Sequence, residues 1–189
     1  MRISDPRYDR DLRRYDLAWR MIRHEVRTTT ISVWTGLSKY RIQTLFREYN
    51  DPGTLRRHRG VPPSQPAFFV RSLHLECESS ALAYIAMQMG VIPYEIVPDA
   101  PKSLPSLARG ERLLDAFDLY RAMVPQSLIS LEHAVLLISE LAQRGILTLN
   151  RCDRCRGLMV VDRFAVRHTE CAFCRLDGRS LGIHPPVAP

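Results

Sequence analysis

The amino-acid sequence predicts a mainly α-helical fold that contains a helix-turn-helix-like unit and ends in a small four-cysteine module. Three observations predict this fold. Apolar residues recur at helical spacing in several long stretches, a Thr-Gly-Leu-Ser turn separates two of these stretches, and four of the five cysteines lie within residues 152–174. We therefore divide the chain into a helical domain, residues 1–150, and a C-terminal module with its tail, residues 151–189.

The first helix is expected over residues 7–28. Its apolar residues advance by alternating steps of four and three, which makes one heptad-like seam: Tyr8, Leu12, Tyr15, Trp19, Ile22 and Val26. Arg and Asp alternate on the opposite face, as they do on a solvated surface. The seam can pack on the chain's own core or on a helix of another subunit, and the sequence leaves both interpretations open.

Residues 28–50 fit the helix-turn-helix pattern of two short helices joined at a glycine. In the first helix, Ile31 and Thr35 face inward, and small Ser32 allows the helices to approach closely. Gly36 forms the turn, Leu37 lies between the helices, and Ser38 can cap the second helix. Ile42 and Leu45 anchor the second helix to the core. The second helix would then present an outer face of hydrogen-bonding and charged side chains: Lys39, Tyr40, Gln43, Thr44 and Arg47. Arg41 points more to the side, as a phosphate contact or a member of a salt bridge. These side chains could reach base edges or phosphates, and the alternative is a plain helical hairpin with a solvated face.

A Pro-rich loop, residues 53–66, follows the unit and carries a basic arm made of Arg56, Arg57 and Arg59. Such arms can track phosphates or enter a minor groove, and a solvated loop is the equal alternative.

The middle of the chain is expected to supply the core helices, over residues 67–89, 111–123 and 131–144, with a proline-containing connector over residues 91–110. The first is the central buried helix, with Tyr84 among its apolar residues, and the second directs Met123 inward. A short strand, residues 146–149, leads into the first cysteine pair.

The cysteines form two C-x-x-C pairs, Cys152 with Cys155 and Cys171 with Cys174, separated by fifteen residues. This spacing is typical of a zinc-ribbon-like site in which four thiolates hold one structural Zn²⁺. Two disulfides or an iron–sulfur site are the alternatives. We expect two small strands over the metal, one over residues 158–161 and one on the return path through Phe164 and Val166, and a disordered tail after the last cysteine.

The formal net charge of +7 is unevenly distributed. Residues 1–60 contain fourteen Lys or Arg against seven Asp or Glu, residues 61–150 six against nine, and residues 151–189 seven against four. Nearly all the cations are Arg, whose planar fork suits phosphates and guanine edges. Four thiolates and one Zn²⁺ offset the charge of the last region, so the N-terminal third is the expected contact with a polyanion such as nucleic acid.

Several classes of protein are not expected. No apolar run is long enough to span a membrane, the first residues lack the apolar region of a signal peptide, and the expected compartment is the cytoplasm. The sequence offers no open metal site, nucleophile triad or phosphate loop, so we do not expect an enzyme.

Four segments resemble the FlhC family, the zinc-binding subunit of the bacterial flagellar master transcription regulator. They are TGLSKYRIQTLFRE, VPPSQPAFF, LLDAFDLYRAM, and RGILTLNRCDRC followed by CAFC, and the resemblance runs from about residue 20 to residue 176. The chain departs from the family in its tail, where we would expect a longer and more basic extension.

The resemblance implies a cytoplasmic subunit that forms a hetero-oligomer with an FlhD-type partner. That complex binds double-stranded DNA upstream of class II flagellar promoters and activates transcription with RNA polymerase. The resemblance also implies that the four paired cysteines hold zinc. The alternative function is a zinc-stabilised protein–protein interaction scaffold without direct DNA binding.

Overall fold

The computed structural model describes residues 6–49, 55–56, 58, 60–92, 105–143, 145–165 and 169–181. Within these residues the predicted mainly α-helical fold is confirmed. The helices are α1 (Pro6–Arg23), α2 (Thr28–Thr35), α3 (Lys39–Tyr49), α4 (Leu73–Gln88), α5 (Leu107–Met123), α6 (Leu131–Gln143) and α7 (Ala172–Leu181). A short 3-10 helix, Pro66–Val70, precedes α4, and the two strands are β1 (Leu147–Arg151) and β2 (Leu158–Asp162).

Helix α1 enters the core only with its C-terminal half. Along the predicted seam, Tyr8 and Leu12 are 48% and 57% exposed, Tyr15 and Trp19 are half-buried, and Ile22 and Val26 are buried. The fully buried residues of the helix lie beside the seam: Leu17, Ala18 and Met21. The first two seam positions therefore do not pack on the described core, contrary to the interpretation that the whole seam is internal.

The predicted end of α1 at residue 28 is wrong, because the helix ends at Arg23. Glu25 adopts a left-handed conformation with φ of 56°, and the Val26 amide donates to the Met21 carbonyl at 3.1 Å. This is a Schellman-type helix end, which usually has glycine at the left-handed position. Glutamate occupies that position here, so the sequence lacked the usual stop signal.

Ion pairs join α1 to α5 and engage part of the N-terminal positive charge. Arg13 Nε donates to Glu111 Oε1 at 2.8 Å, and Arg20 Nη2 lies 2.7 Å from Asp115 and 3.0 Å from Asp118. Helix α5 begins at Leu107, four residues before its predicted start, because the side chain of Ser106 caps it.

Helix α4 lies at the centre and contacts α5, α6, α7 and β2. Its predicted burial on nearly all sides is wrong at Tyr84, which is half exposed, and Met123 at the end of α5 is likewise exposed rather than inward. The predicted helix over residues 67–89 is divided, because the chain leaves the 3-10 helix after Val70 and restarts at Leu73 with a Ser72 cap. Helix α6 follows its predicted bounds through Gln143, and residue 144 lies outside the described residues.

The two strands form an antiparallel hairpin in which Leu149 pairs with Val160. The sequence predicted a strand at each of these places and a further strand on the return path through Phe164 and Val166. That expectation is wrong for Phe164, which lies exposed in a turn, and Val166 lies outside the described residues. The disordered tail is also corrected in part, because residues 175–181 belong to α7, and residues 182–189 are not described.

No helix in the described part of the chain is both long and apolar enough to cross a membrane. The division of the chain at residue 150 stays a prediction.

Candidate functional site

The four paired cysteines come together at the junction of the hairpin and α7. Cys152 directly follows β1, Cys155 lies in the turn after it, Cys171 immediately precedes α7, and Cys174 lies in the first turn of that helix. The Asp153 amide donates to the Thr169 carbonyl at 2.8 Å, which holds the two cysteine turns against each other.

The cysteine sulfur atoms have the spacing of a tetrahedral metal site. All four lie within 4.8 Å of one another. Cys152 Sγ is 3.9 Å from Cys174 Sγ, and Cys155 Sγ is 3.7 Å from Cys171 Sγ. A tetrahedral ion with metal–sulfur bonds of about 2.3 Å separates its sulfur atoms by about 3.8 Å. The cluster can therefore hold one metal ion.

Backbone amides point at these sulfur atoms. Cys171 N donates to Cys152 Sγ at 3.2 Å, Gly157 N to Cys155 Sγ at 3.4 Å, and Cys174 N to Cys171 Sγ at 3.5 Å. The last contact has the geometry of a helix N-cap, with sulfur in place of the usual oxygen. Amide donors and the positive end of α7 both favour the thiolate forms that a metal requires.

The pKa values of the cysteine thiols are shifted in different directions. Burial alone would raise the pKa of the Cys152 thiol, but hydrogen bonds from the amides of Cys155, Cys171 and Arg154 lower it to about 6. Burial and the neighbouring sulfur atoms raise the pKa of the Cys174 thiol. Four thiolates at this spacing repel one another, so full ionisation needs a bound cation to neutralise them.

The cysteine module is packed directly onto the helical body. Val160 N donates to Ser80 Oγ of α4 at 3.0 Å, and Arg175 of α7 forms an ion pair with Glu76 of α4. Leu147 and Val160 belong to the same apolar core as the helices. The fifth cysteine, Cys77, lies outside the cluster, and burial raises the pKa of its thiol to about 11. Cys77 is half-buried, and its thiol stays protonated at neutral pH.

The helix-turn-helix prediction agrees with the geometry of α2 and α3. Gly36 has φ of 70° and ends α2, and Leu37 is buried between the helices. Arg41 N donates to Ser38 Oγ at 3.3 Å, as expected for a cap on α3. The predicted inward residues are buried: Ile31, Thr35, Ile42 and Leu45. Thr35 also accepts a hydrogen bond from the Leu37 amide at 3.1 Å, which fixes the turn.

The predicted outer face of α3 points away from this core. Lys39, Tyr40, Arg41 and Arg47 are exposed, and Gln43 and Thr44 are half-buried. Arg47 contacts Thr44 Oγ1 at 3.4 Å. Within the described residues, none of the three cations on this face forms an ion pair with a carboxylate, so all three are available to an external anion.

The predicted basic arm is only partly described, because Arg57 and Arg59 lie outside the described residues. Arg56 is fixed beside α3: its amide donates to Glu25 Oε1 at 3.0 Å, and it lines a crevice together with Gln43. The hydrogen bond from Arg56, helped by His58, holds the pKa of Glu25 below its usual range.

Sequence reasoning missed Arg14. Its guanidinium lies against Gly36, at the turn that leads into α3, although the two residues are 22 positions apart. Arg14 sits on a face of α1 that carries alternating charges, and such a pattern also describes an ordinary solvated surface. No local signal could have assigned it to the turn.

No protein-family model matches the chain, and no curated protein matches it either.

Proposed function

We propose that the chain is the DNA-binding subunit of a transcription activator of the FlhC type, and that it reads promoter DNA with α3. The observation that carries the proposal is the division of α3 into a buried anchoring face and an exposed face of Lys39, Tyr40 and Arg47, with half-buried Gln43 beside it. In the alternative, a plain helical hairpin, the second face would serve only as a solvated surface.

The dimensions of the unit support this proposal. An α-helix with its side chains is about 10–12 Å across, which suits the major groove of B-DNA, about 12 Å wide. Helix α3 has 11 residues and is therefore about 16 Å long. Its N-terminal residues would meet base edges, where Lys39 can donate to guanine and Gln43 can pair with adenine. Arg14 beside the turn and Arg56 beside Gln43 would contact the phosphates on either side of the helix.

We further propose that the cysteine cluster holds one structural Zn²⁺, because four thiolate ligands leave no coordination position for water or substrate. The ion would fix the hairpin and α7 as one unit and would take no part in chemistry. In the proposed complex, an FlhD-type partner and RNA polymerase would complete the activator.

The proposal is tested by co-expressing the chain with an FlhD-type partner, purifying the complex, and measuring its binding to a flagellar class II promoter duplex by mobility shift. We expect a shifted complex that contains one zinc per chain and that dissociates steeply as salt rises, because bound phosphates regain counterions. A complex that forms with the partner but binds promoter and random duplexes equally weakly at all salt concentrations would favour the interaction-scaffold alternative.

A further inference from the structure

A groove of about 710 Å³ opens between α4 and the cysteine module. We call it the knuckle groove and define it by Tyr84 and Met87 of α4, Leu158 of β2, Phe173 of α7, and the two arginines Arg151 and Arg156. The groove lies next to the metal cluster, whose Cys155 and Cys171 form part of its lining. Neither the cluster nor the proposed DNA surface on α3 accounts for the exposed rings and arginines that define it.

The apolar walls of the knuckle groove are unusually open. The rings of Tyr84 and Phe173 are 51% and 56% exposed, although each is attached to a helix that could have buried it. Ala81, Met87 and Leu158 extend the apolar surface between them. Aromatic and methionine side chains grouped around a concave surface are typical of sites that receive apolar anchor residues.

The charged side chains other than cysteine that line the groove are arginines. Among the described lining residues there is no Asp or Glu, and the two arginines flank the first cysteine turn: Arg151 ends β1 and Arg156 follows Cys155. Arg151 Nη1 donates to the Arg156 carbonyl at 3.3 Å, and neither guanidinium forms an ion pair with a carboxylate of the described residues. Arg154, by contrast, turns toward α7, where it contacts the Cys174 carbonyl at 3.0 Å. The groove therefore presents two guanidinium groups that can donate hydrogen bonds to the carboxylates of a binding partner.

We propose that the knuckle groove binds an amphipathic peptide helix of a partner protein, with apolar anchors at helical spacing flanked by Asp or Glu. The anchors would fill the space between Tyr84 and Phe173, and the flanking carboxylates would pair with Arg151 and Arg156. A volume of about 710 Å³ accommodates several apolar side chains and is too small for a folded domain. This proposal does not depend on DNA binding by α3.

A peptide fits the lining better than a nucleic acid strand does. A strand-binding groove needs a row of cations that follows the phosphates, as well as rings that stack on bases. Here the cations among the described lining residues are only Arg151 and Arg156, too few to follow a phosphate chain, and apolar Ala81, Met87 and Leu158 lie among the rings. A metal-loaded four-thiolate cluster next to Cys155 would also carry a formal charge of −2, which repels a phosphate chain more strongly than it repels a peptide that bears few carboxylates.

The test is a selection of random 16-residue peptides, displayed on phage, against the full chain loaded with zinc. We expect the selected peptides to share two or more large apolar residues at helical spacing together with Asp or Glu. A synthetic, fluorescein-labelled copy of the most enriched sequence is then titrated with the protein by fluorescence anisotropy.

Variants locate the binding. We expect Tyr84→Ser and Phe173→Ser each to lower the affinity for the peptide at least tenfold, because the loss of an aromatic anchor contact has an effect of that size. Phe164→Ser is the matched control, since Phe164 is an exposed phenylalanine of the same module outside the groove, and we expect it to bind as the parent does. Zinc content is measured for every variant. Tyr84→Ser lies on α4, away from the ligands, and keeps the test decisive if Phe173→Ser loses metal.

Charge reversal checks the arginines. Arg151→Glu should lower the affinity for the acidic peptide. The same variant should bind more tightly a version of the peptide in which Lys replaces the flanking acidic residues. The proposal is overturned if selection yields no shared pattern or a basic one, or if binding is unchanged in both aromatic variants. Tighter binding of an oligothymidine 12-mer than of any selected peptide, lost in the same variants, would instead identify a nucleic acid groove and would also overturn it.

Discussion

The amide of Val160 in β2 donates a hydrogen bond of 3.0 Å to Ser80 Oγ at the middle of α4, across 80 positions of sequence. Both residues are buried, and Val160 belongs to the core that α1, α4, α5 and α6 share. The cysteine module is therefore an integral part of the packing of the helical body. A change at the metal cluster should reach the helices through this contact.

Removal of the Ser80 hydroxyl should destabilise the protein. Ser80→Ala leaves the buried Val160 amide without its acceptor, which costs about 1–3 kcal/mol of unfolding free energy. Urea denaturation of the metal-loaded protein measures this difference, with zinc content determined in parallel. An unchanged unfolding midpoint would mean that water or another group replaces the hydroxyl, and that the contact does not couple the two parts.

Single cysteine substitutions should show that the four cysteines of the cluster bind the metal and that Cys77 does not. We expect Cys155→Ser to lose bound zinc and to lower the thermal midpoint of the whole chain, because metal binding and folding of the module are linked. Cys77→Ser is the matched control and should keep one zinc per chain, since Cys77 lies outside the cluster. Zinc analysis together with circular dichroism decides, and a folded, metal-free Cys155→Ser protein would contradict the structural role.

The ion pair between Arg13 and Glu111 should make stability depend on pH in acid. The hydrogen bond from Arg13 lowers the pKa of Glu111 from its ordinary value of 4.5. A lowered pKa stabilises the fold above the ordinary value, and this contribution is lost as pH falls through the folded-state value. The stability difference between the parent and Glu111→Gln should therefore be present at pH 7 and should shrink as the pH falls below 4.5.

Denaturation midpoints at a series of pH values follow this difference. Glu48→Gln is the control, because Glu48 is exposed on α3 and forms no ion pair within the described residues. A gap between the parent and Glu111→Gln that stayed constant from pH 7 to pH 3 would show that the exchange acts through packing.

The turn of the helix-turn-helix should depend on glycine. Gly36 has φ of 70°, a conformation that costs a residue with a side chain about 1 kcal/mol or more. Gly36→Ala should lower the unfolding free energy by about that amount, and Gly36→Asn should lower it less because asparagine tolerates this conformation. Equal effects of the two exchanges in chemical denaturation would contradict a backbone cause. A clash is not expected, because Arg14 Nη2, the nearest atom to an added Cβ, lies 3.7 Å away, an ordinary van der Waals distance.

Local patterns accounted for the two candidate sites. Ile31, Gly36, Leu37 and Ile42 are close in sequence, and their spacing determines which face each occupies on a helix, so α2 and α3 could be predicted. The cysteine spacing likewise brings its four side chains together through two tight turns and one hairpin.

Long-range packing accounts for what could not be predicted. Tyr84 has the apolar spacing of a core residue, and only the position of the cysteine module leaves it at an open groove. Strand β2 pairs with the segment before the first cysteine turn, a choice that depends on register and not on composition. Helix α7 is capped by the sulfur of Cys171, the residue just before it, and cysteine is absent from the usual set of capping residues.

The most direct measurement of the central claim is the salt dependence of promoter binding by α3 variants in the complex with an FlhD-type partner. We expect Lys39→Ala and Gln43→Ala each to lower the affinity for promoter DNA by about tenfold, because a good contact to a base edge contributes about 1–3 kcal/mol of binding free energy. Arg47→Ala should reduce the salt slope, which is the slope of log affinity against log salt concentration, by about one unit, because one phosphate contact is lost. Arg112→Ala, an exposed arginine on α5, is the control. Unchanged promoter affinity and salt slope in all three α3 variants, with the complex intact, would contradict the account.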